Sequence, residues 1–403
     1  MMRAFDVIVV GGGPVGGTLA LALAQAGVAV AVIDHEDPAA ELVAQFDARA
    51  LAVALTAQRA MKAVGLWSAV APYAAPIERI RVADGNSPAT LNYHHEEIGP
   101  EPFGWIVESQ GLRRAFAAAM GGQTGLARLA PRKVASIERG PGAVTVSMVD
   151  GEILSAPLIV GADGRRSMVR ESAGIEVEKR DYRQIAIVCT VAHELPHGNM
   201  AHEHFLPAGP FAILPLPGNR SGVVWTERAE LAPAIMREDD AGFLSELHAR
   251  FGDFLGTIAL EGQRFAHPLS FQLASAYWAP RLALVGDAAH AMHPVAGQGM
   301  NMGLRDASAL AERIVEAKRL GLDLGGGEVL ERYARWRRFD NLLMLAMTDG
   351  LVRLFSNEIG PLRLARDIGL AAVNRMPPAK RLFTRHAMGL EGDLPRLMKG
   401  EPL

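Results

Sequence analysis

"DVIVVGGGPVGGTLALALAQAGVAVAVID", Asp6 to Asp34, holds 27 uncharged residues between its two terminal carboxylates. A bilayer is crossed by roughly 20 apolar residues, so length alone admits a membrane span. The internal texture argues against one. Gly11, Gly12, Gly13, Pro14, Gly16 and Gly17 interrupt the apolar run near its first third, where a spanning helix would leave backbone amides without partners in lipid. A secretion signal is disfavoured for a related reason, because Asp6 and the glycines stand where its apolar stretch should be continuous.

The stretch reads instead as strand, helix, strand. "DVIVV" and "VAVAVID" are β-branched runs, and "TLALALAQAG" is a helix former closed by Gly27. Gly11, Gly13 and Gly16 form GxGxxG at the first turn. In this context the first glycine permits a tight turn, the second lets the backbone approach a pyrophosphate, and the third lets helix pack on strand. Pro14 and Val15 open the helix, whose N-terminal amides and dipole favour phosphate without a basic side chain. Asp34 closes the second strand 18 residues after Gly16, where a carboxylate accepts from ribose hydroxyls. An adenine dinucleotide is therefore expected, and this unit alone serves NAD, NADP or FAD.

With 403 residues the chain is long enough for two domains and a well-buried core. Its 41 basic and 44 acidic residues give a net charge of −3 with no block of like charge, so no nucleic-acid partner is expected. Cys189 is the single cysteine, which excludes an internal disulfide or a cysteine-pair centre and points to a reducing, cytoplasmic setting. It lies in "IAIVCTV", read as a buried strand. Farther along, "DARALAVALTAQRAMKAVGLW" (47–67) reads as a loop entering a helix, "SQGLRRAFAAAMGG" as a helix, residues near 180–270 as a strand-rich insertion with proline turns, and the last 70 or so as helical.

Two further glycine-acid turns follow apolar strands. "PLIVGADG" reaches Gly161–Gly164 with Asp163, and "LALVGD" ends at Gly286 and Asp287. After Asp287 come Pro294, then Gly297, Gln298 and Gly299 just before a long helix. The helix N-terminus there can stabilise negative charge such as that on a reduced flavin ring. His290 and His293 flank this loop and are read as loop structure or as a proton path. "HEH" at 202–204 and "HHEE" at 94–97 are read as solvated or pocket-lining side chains, and no metal is expected.

Taken in order, "GGGPVGG", "GADGRRSMVR" and "GDAAHAMHPVAGQGMNMGLRDA" resemble the motifs of the single-component FAD-dependent aromatic hydroxylases. "HPVAGQGMNMGLRD" and the late stretch from "DNLLMLAMTDG" to "RLFTRHAMG" resemble the ubiquinone-biosynthesis hydroxylases among them. The resemblance implies an α/β fold with a three-layer Rossmann-like FAD-binding domain, an inserted, mostly antiparallel-sheet substrate domain and a helical C-terminal region. The corresponding expectation is 1–75, 101–178 and 268–325 for the FAD-binding domain, 76–100 and 179–267 for the substrate domain, and 326–403 for the helical region. By position, Gly11, Gly13, Pro14, Val15, Gly16 and Asp34 would hold the ADP half of FAD. Gly286 and Asp287 would hold the ribityl and pyrophosphate side, and Gly299, Met300 and Asn301 would meet the flavin ring. Arg49 and Asp163 match a cofactor-side arginine and the acid of the middle motif. His293, Pro294 and Gly297 fall at the reacting centre. Where the subfamily commonly has Asn-Arg, this chain has Ser109 and Gln110; Gln110 still donates a hydrogen bond, but without a fixed charge.

The implied chemistry is aromatic hydroxylation through a flavin hydroperoxide, with dioxygen and a hydrophobic polyprenylated phenol as reactants and NAD(P)H or a protein donor as reductant. Other aromatic metabolites, a flavin reductase of isoprenoid double bonds and a flavin-stabilised scaffold are the alternatives. A flavin halogenase is disfavoured because no Trp-x-Trp occurs. Residues 351–390 carry seven basic and two acidic side chains among apolar ones. That texture suits peripheral contact with the inner face of an anionic membrane, or packing against the FAD-binding domain or a partner subunit; other quinone-biosynthesis enzymes are expected partners of the chain as a whole.

Overall fold

The computed structural model describes residues 2–42, 48–85, 90–355 and 376–403. It opens with the anticipated unit: β1 (Val7–Val10), α1 (Pro14–Gln25) and β2 (Val30–Ile33). Both strands are fully buried, as their uninterrupted β-branched sequences require of strands covered on both faces. Then come β3 (Ala50–Ala54), α2 (Leu55–Ala63), the paired β4 (Arg79–Asp84) and β5 (Thr90–His94), β6 (Gly104–Glu108), α3 (Ser109–Gly122) and β7 (Leu126–Leu129). β8 (Leu158–Gly161) precedes four long strands: β9 (Val177–His193), β10 (Met200–Leu206), β11 (Gly209–Leu216) and β12 (Arg220–Arg228). The chain continues through α4 (Ala232–Arg237), α5 (Asp240–Phe251), β13 (Ile258–Ala274), β14 (Leu282–Leu284), α6 (Gln298–Arg319), α7 (Gly327–Phe355) and α8 (Pro377–Ala387).

Two sheets position everything that follows. In the first, β14, β8, β1, β2 and β7 are parallel neighbours in that order, so β1 lies between its own βαβ partner and strands that arrive about 150 and 275 residues later. In the second, β13, β9, β12, β11, β10, β4 and β5 run side by side, antiparallel except where β10 meets β4. One face of this larger sheet packs Ile187, Phe211, Ile213, Val223 and Trp225 against Phe243, Leu247 and Phe251 of α5. Its opposite face turns toward the parallel-sheet half of the molecule, where Gly222 meets Ala50 of β3.

Two sequence expectations need correction. Residues 50–54 form a strand, not a loop. Alanine is a poor strand former, and the extended form of this alanine-rich run comes from antiparallel pairing with β6, where a side chain at Gly104 would collide with the Val53 carbonyl. The region near 180–270 also contains α4 and α5 besides its strands. Asp239 caps α5 by accepting from the Gly242 amide at 2.8 Å, and Phe243, Leu247 and Phe251 repeat every four residues, a helical signal overlooked among the strands. The expected boundaries at 178/179 and 267/268 fall inside β9 and β13.

Candidate cofactor and ring-binding site

Gly161 pairs in register with both Val10 and Leu284, so β1, β8 and β14 end level. Their three turns therefore emerge side by side at one edge of the sheet, with Asp34 following β2 beside them. Adjacent turns are sewn together: the Ala162 amide donates to the Val10 carbonyl at 2.8 Å, and the Val285 amide to the Gly161 carbonyl at 3.0 Å. Arg170, almost fully buried, donates to the carbonyls of Arg165 and Ala288, each at 3.0 Å, and so ties the middle turn to the third.

Each glycine of the first turn has a distinct surrounding. Gly11 sits at φ +103°, and a Cβ there would lie 2.3 Å from the Ala162 carbonyl oxygen. At Gly16 it would lie 2.0 Å from the Gly11 carbonyl oxygen, so the helix rests directly on the turn. Around Gly13 a Cβ would meet nothing within 4 Å. Pro14 begins α1, and Val15 fits between Gly286 and Gly303, which brings the first and third turns into contact. The Asp34 carboxylate is buried and oriented by the amides of Gly12 at 2.5 Å and Glu36 at 2.9 Å.

The remaining expected residues gather around the same edge. Asp163 accepts from the Val169 amide at 3.1 Å through Oδ2, while its Oδ1 is buried without a hydrogen-bond partner among the described residues. Burial raises the Asp163 carboxyl above the usual carboxylate range, against the pull of Ser167 and nearby amides. Asp287, half exposed, accepts from Arg165 Nε at 3.3 Å. Arg49 is exposed ahead of β3, and its carbonyl accepts from the Ser109 amide at 2.9 Å, which brings it beside Gln110 in the first turn of α3.

Below the third turn the flavin-type loop is braced from β3. Gly297 caps α6 with φ +61°, and a Cβ on it would lie 2.6 Å from Ala52 Cβ. Asn301 accepts from the Ala54 amide at 2.9 Å and donates to the carbonyls of Ala52 at 3.1 Å and Gly297 at 3.2 Å. Its side chain is thus committed to the loop, leaving main-chain groups of Gly299, Met300 and Asn301 for any ligand. Pro294 is exposed and its carbonyl accepts from the Gly297 amide at 2.9 Å. His293 is fully buried against Tyr182, ring centroids 5.1 Å apart, and burial lowers its imidazole to about 4.

The most heavily bonded group here escaped the sequence reading. Asp306, fully buried in α6, binds His290 Nε2 at 2.6 Å, Arg337 Nε at 2.9 Å, Asn341 Nδ2 at 3.0 Å and the Gly286 amide at 3.2 Å. Burial alone would raise its carboxyl; His290, Arg337 and Asn341 together hold it at about 2. His290 is therefore part of a structural brace, whereas His293 accepts from the Val295 amide at 3.3 Å through Nδ1 and its Nε2 is buried without a hydrogen-bond partner among the described residues.

FAD fits these features. Gly13 and Gly299 both present open space at a helix start, neither α1 nor α6 has a side-chain cap on its first amides, and Asp163 offers a buried, unpaired oxygen between the two. These are the settings in which main-chain amides take phosphates and an electron-rich ring. The sequence pattern of the family described as "FAD binding domain" matches residues 4–338. The chain belongs to this family. Ubiquinone hydroxylase UbiL of Rhodospirillum rubrum is 54% identical, over 99% of this chain and 93% of the relative. The 3-demethoxyubiquinol 3-hydroxylase of Escherichia coli is 35% identical, over 96% and 98%. Among solved structures, p-nitrophenol 4-monooxygenase PnpA from Pseudomonas putida superposes with a TM-score of 0.80 at 21% identity, covering 97% of this chain and 99% of that one, a likeness of fold.

Proposed function

We propose that the protein is an FAD-dependent monooxygenase that hydroxylates the aromatic ring of a polyprenylated phenol in ubiquinone biosynthesis. The observation that carries this reading is the convergence of three distant glycine-acid turns at one sheet edge, beneath an apolar sheet face, in a chain 54% identical to a ubiquinone hydroxylase. Bound FAD, once reduced, supplies the electrons and the activated oxygen. The chain's own contribution is grip, position and dryness.

In this reading Gly13, Pro14, Val15 and the first amides of α1 hold the pyrophosphate, Gly11 and Gly16 set the turn, and Asp34 accepts the ribose hydroxyls. Gly286, Asp287, Asp163, Arg49 and Gln110 hold the remainder of the dinucleotide chain, and the amides at Gly299, Met300 and Asn301 face the ring. His293, Pro294 and Gly297 shape the reacting centre, His293 as a neutral imidazole at physiological pH. The reductant is NAD(P)H or a protein donor. The FAD-binding domain comprises 1–75, 101–178 and 268–325, the substrate domain 76–100 and 179–267, and the helical region 326–403.

Purified protein should be yellow and consume dioxygen when given a reductant and a prenylated phenol, with a hydroxylated ring detected by mass spectrometry. Tightly held FAD with no oxygen-dependent product overturns the reading. Peripheral membrane contact through 351–390 belongs to the same proposal. Residues 356–375 lie outside the described residues, and of the described cations there Lys380 pairs with Glu97 at 2.8 Å and Arg385 with Glu391 at 2.5 Å. Among the described residues no helix is long and apolar enough to cross a membrane. Salt-sensitive co-sedimentation with anionic but not zwitterionic vesicles supports the contact, and indifference to vesicle charge removes it.

A further inference from the structure

Residues that face each other across paired strands point to the same side of a sheet. On β10, Glu203 is opposite Val82 of β4 and Ala212 of β11; Val82 is opposite Leu91 of β5, and Ala212 opposite Val224 of β12. This row lies on the inner face. Leu91 and Val82 belong to a cluster with Phe205, Phe355 and Val295, the last of these in the flavin-type loop. The neighbouring histidines alternate to the outer side, His202 against Phe254 at 4.5 Å and His204 near Phe211. The three side chains of "HEH" therefore cannot converge on one ion, and Glu203 is left as the one ionisable group in an otherwise apolar row.

Its position is specific. Phe205, two residues on and on the same face, packs in the cluster that includes Val295, and two residues of strand span about 7 Å. Glu203 is deep in the fold yet keeps accessible surface, as do Val82, Leu214 and Val224 of the same face. Helix α5 packs on the other side of the sheet, so these side chains face the half of the molecule that carries the loop. The carboxylate takes neither a hydrogen bond nor an ion pair from the described residues, and burial alone raises it to about 7. Other charged or titratable groups on this face or packed beneath it are Asp84, Tyr93, His267, Arg220 with Glu108 and Glu261, Tyr182 with Asp349 and Arg180, and His293; none of them figures among the causes of that shift.

We propose that Glu203 receives the phenolic hydroxyl of the ring to be hydroxylated, accepting its hydrogen bond and then its proton. This rests on the hydroxylase reading above. The phenolic O–H bond breaks as a carboxyl O–H bond forms on Glu203, and the phenolate pushes electron density into the ring. The ring's electron pair would form the new C–O bond to a hydroxyl group derived from dioxygen and activated by reduced FAD, as the O–O bond breaks. The second oxygen leaves at the level of water, taking up the ring C–H proton released next. The ring C–H proton leaves on rearomatisation, and Glu203 returns its proton to the phenolate oxygen. A carboxylate is a weak base in water but a better matched one here, where burial among apolar side chains favours its protonated form.

The test compares wild type, Glu203→Gln and Glu203→Asp as holoenzymes. Without reductant, binding of 2-prenylphenol and of its O-methyl ether is followed by perturbation of the flavin absorbance. Wild type should prefer the phenol, and Glu203→Gln should lose about tenfold of that preference while keeping FAD and melting temperature. In turnover, the Gln variant should lose about 100-fold in kcat, within the usual range for a general base, and the acid limb of the pH profile, with partial recovery in Glu203→Asp. Equal discrimination in wild type and Glu203→Gln overturns the proposal, as does a wild-type profile without an acid limb. Because the binding comparison needs no turnover, it decides the role of Glu203 even if oxygen chemistry fails, which would instead sink the hydroxylase reading.

Discussion

Asp306 shows how much one buried carboxylate can organise. Its bonds reach the third turn through Gly286, the loop through His290 and α7 through Arg337 and Asn341. Removing one member of a buried pair leaves the other charge uncompensated, at about 3–5 kcal/mol. Arg337→Met should accordingly lower unfolding free energy by about that amount in chemical denaturation and cost the protein much of its FAD. His293 is perturbed in the opposite sense to an ion-paired histidine. Its folded value of about 4 lies below the ordinary 6.5, so as pH falls from about 6.5 toward 4 the unfolded chain takes a proton that the folded one refuses. Stability present above 6.5 is lost in that window, about 2 kcal/mol by pH 5. Denaturation of wild type and His293→Gln at about pH 7.5 and about pH 5 should show the variant losing less. His202, also lowered to about 4, and Glu203, raised to about 7, contribute slopes of opposite sign that both proteins share. Asp306 was legible in principle, since Met302, Gly303, Ala309 and Leu310, three and four residues away on one helix, are all buried. Its partners were not, because Arg337 and Asn341 come from another helix and nothing local pairs them with it.

At the scale of elements, the βαβ unit could be read from sequence because every level agreed: β-branched strands, an alanine-leucine helix and glycines at the turn. The β3 strand could not, since its alanines acquire extended form only from β6. The glycines of the first turn give a sharp contrast between fold and ligand. Gly16→Ala would force a methyl onto the Gly11 carbonyl and should destabilise the protein itself by about 1–3 kcal/mol or more. Gly13→Ala has open space, so melting without FAD should shift by less than about 0.5 kcal/mol equivalent, while FAD affinity falls at least severalfold. If Gly13→Ala leaves FAD affinity untouched, the pyrophosphate does not lie where the sequence motif places it. The paired readout, apo-protein stability against flavin retention, separates the two positions.

For the whole molecule, the order of the motifs in sequence suggested three separated stretches building one domain, and the level ends of β1, β8 and β14 are the physical form of that arrangement. The larger sheet was readable as strand-rich but not its register, and register is what separates Glu203 from the histidines on either side of it. Alternation along a single strand hints at two faces; which face meets the loop depends on the pairing across all eight strands of the sheet.

The placement of β1 also governs how the protein is made. Its flanks come from residues 30–33 on one side and from 158–161, then 282–284, on the other. A ribosome adding 5–20 residues each second needs on the order of tens of seconds between the first strand and the last of these. Until then the nascent chain carries an apolar ledge that nothing covers, and flavin has only part of its cradle. Loading of the cofactor is therefore expected after release, and a polypeptide ended at residue 270 should leave the column colourless and chaperone-bound; one that emerged yellow would mean the first turn alone suffices.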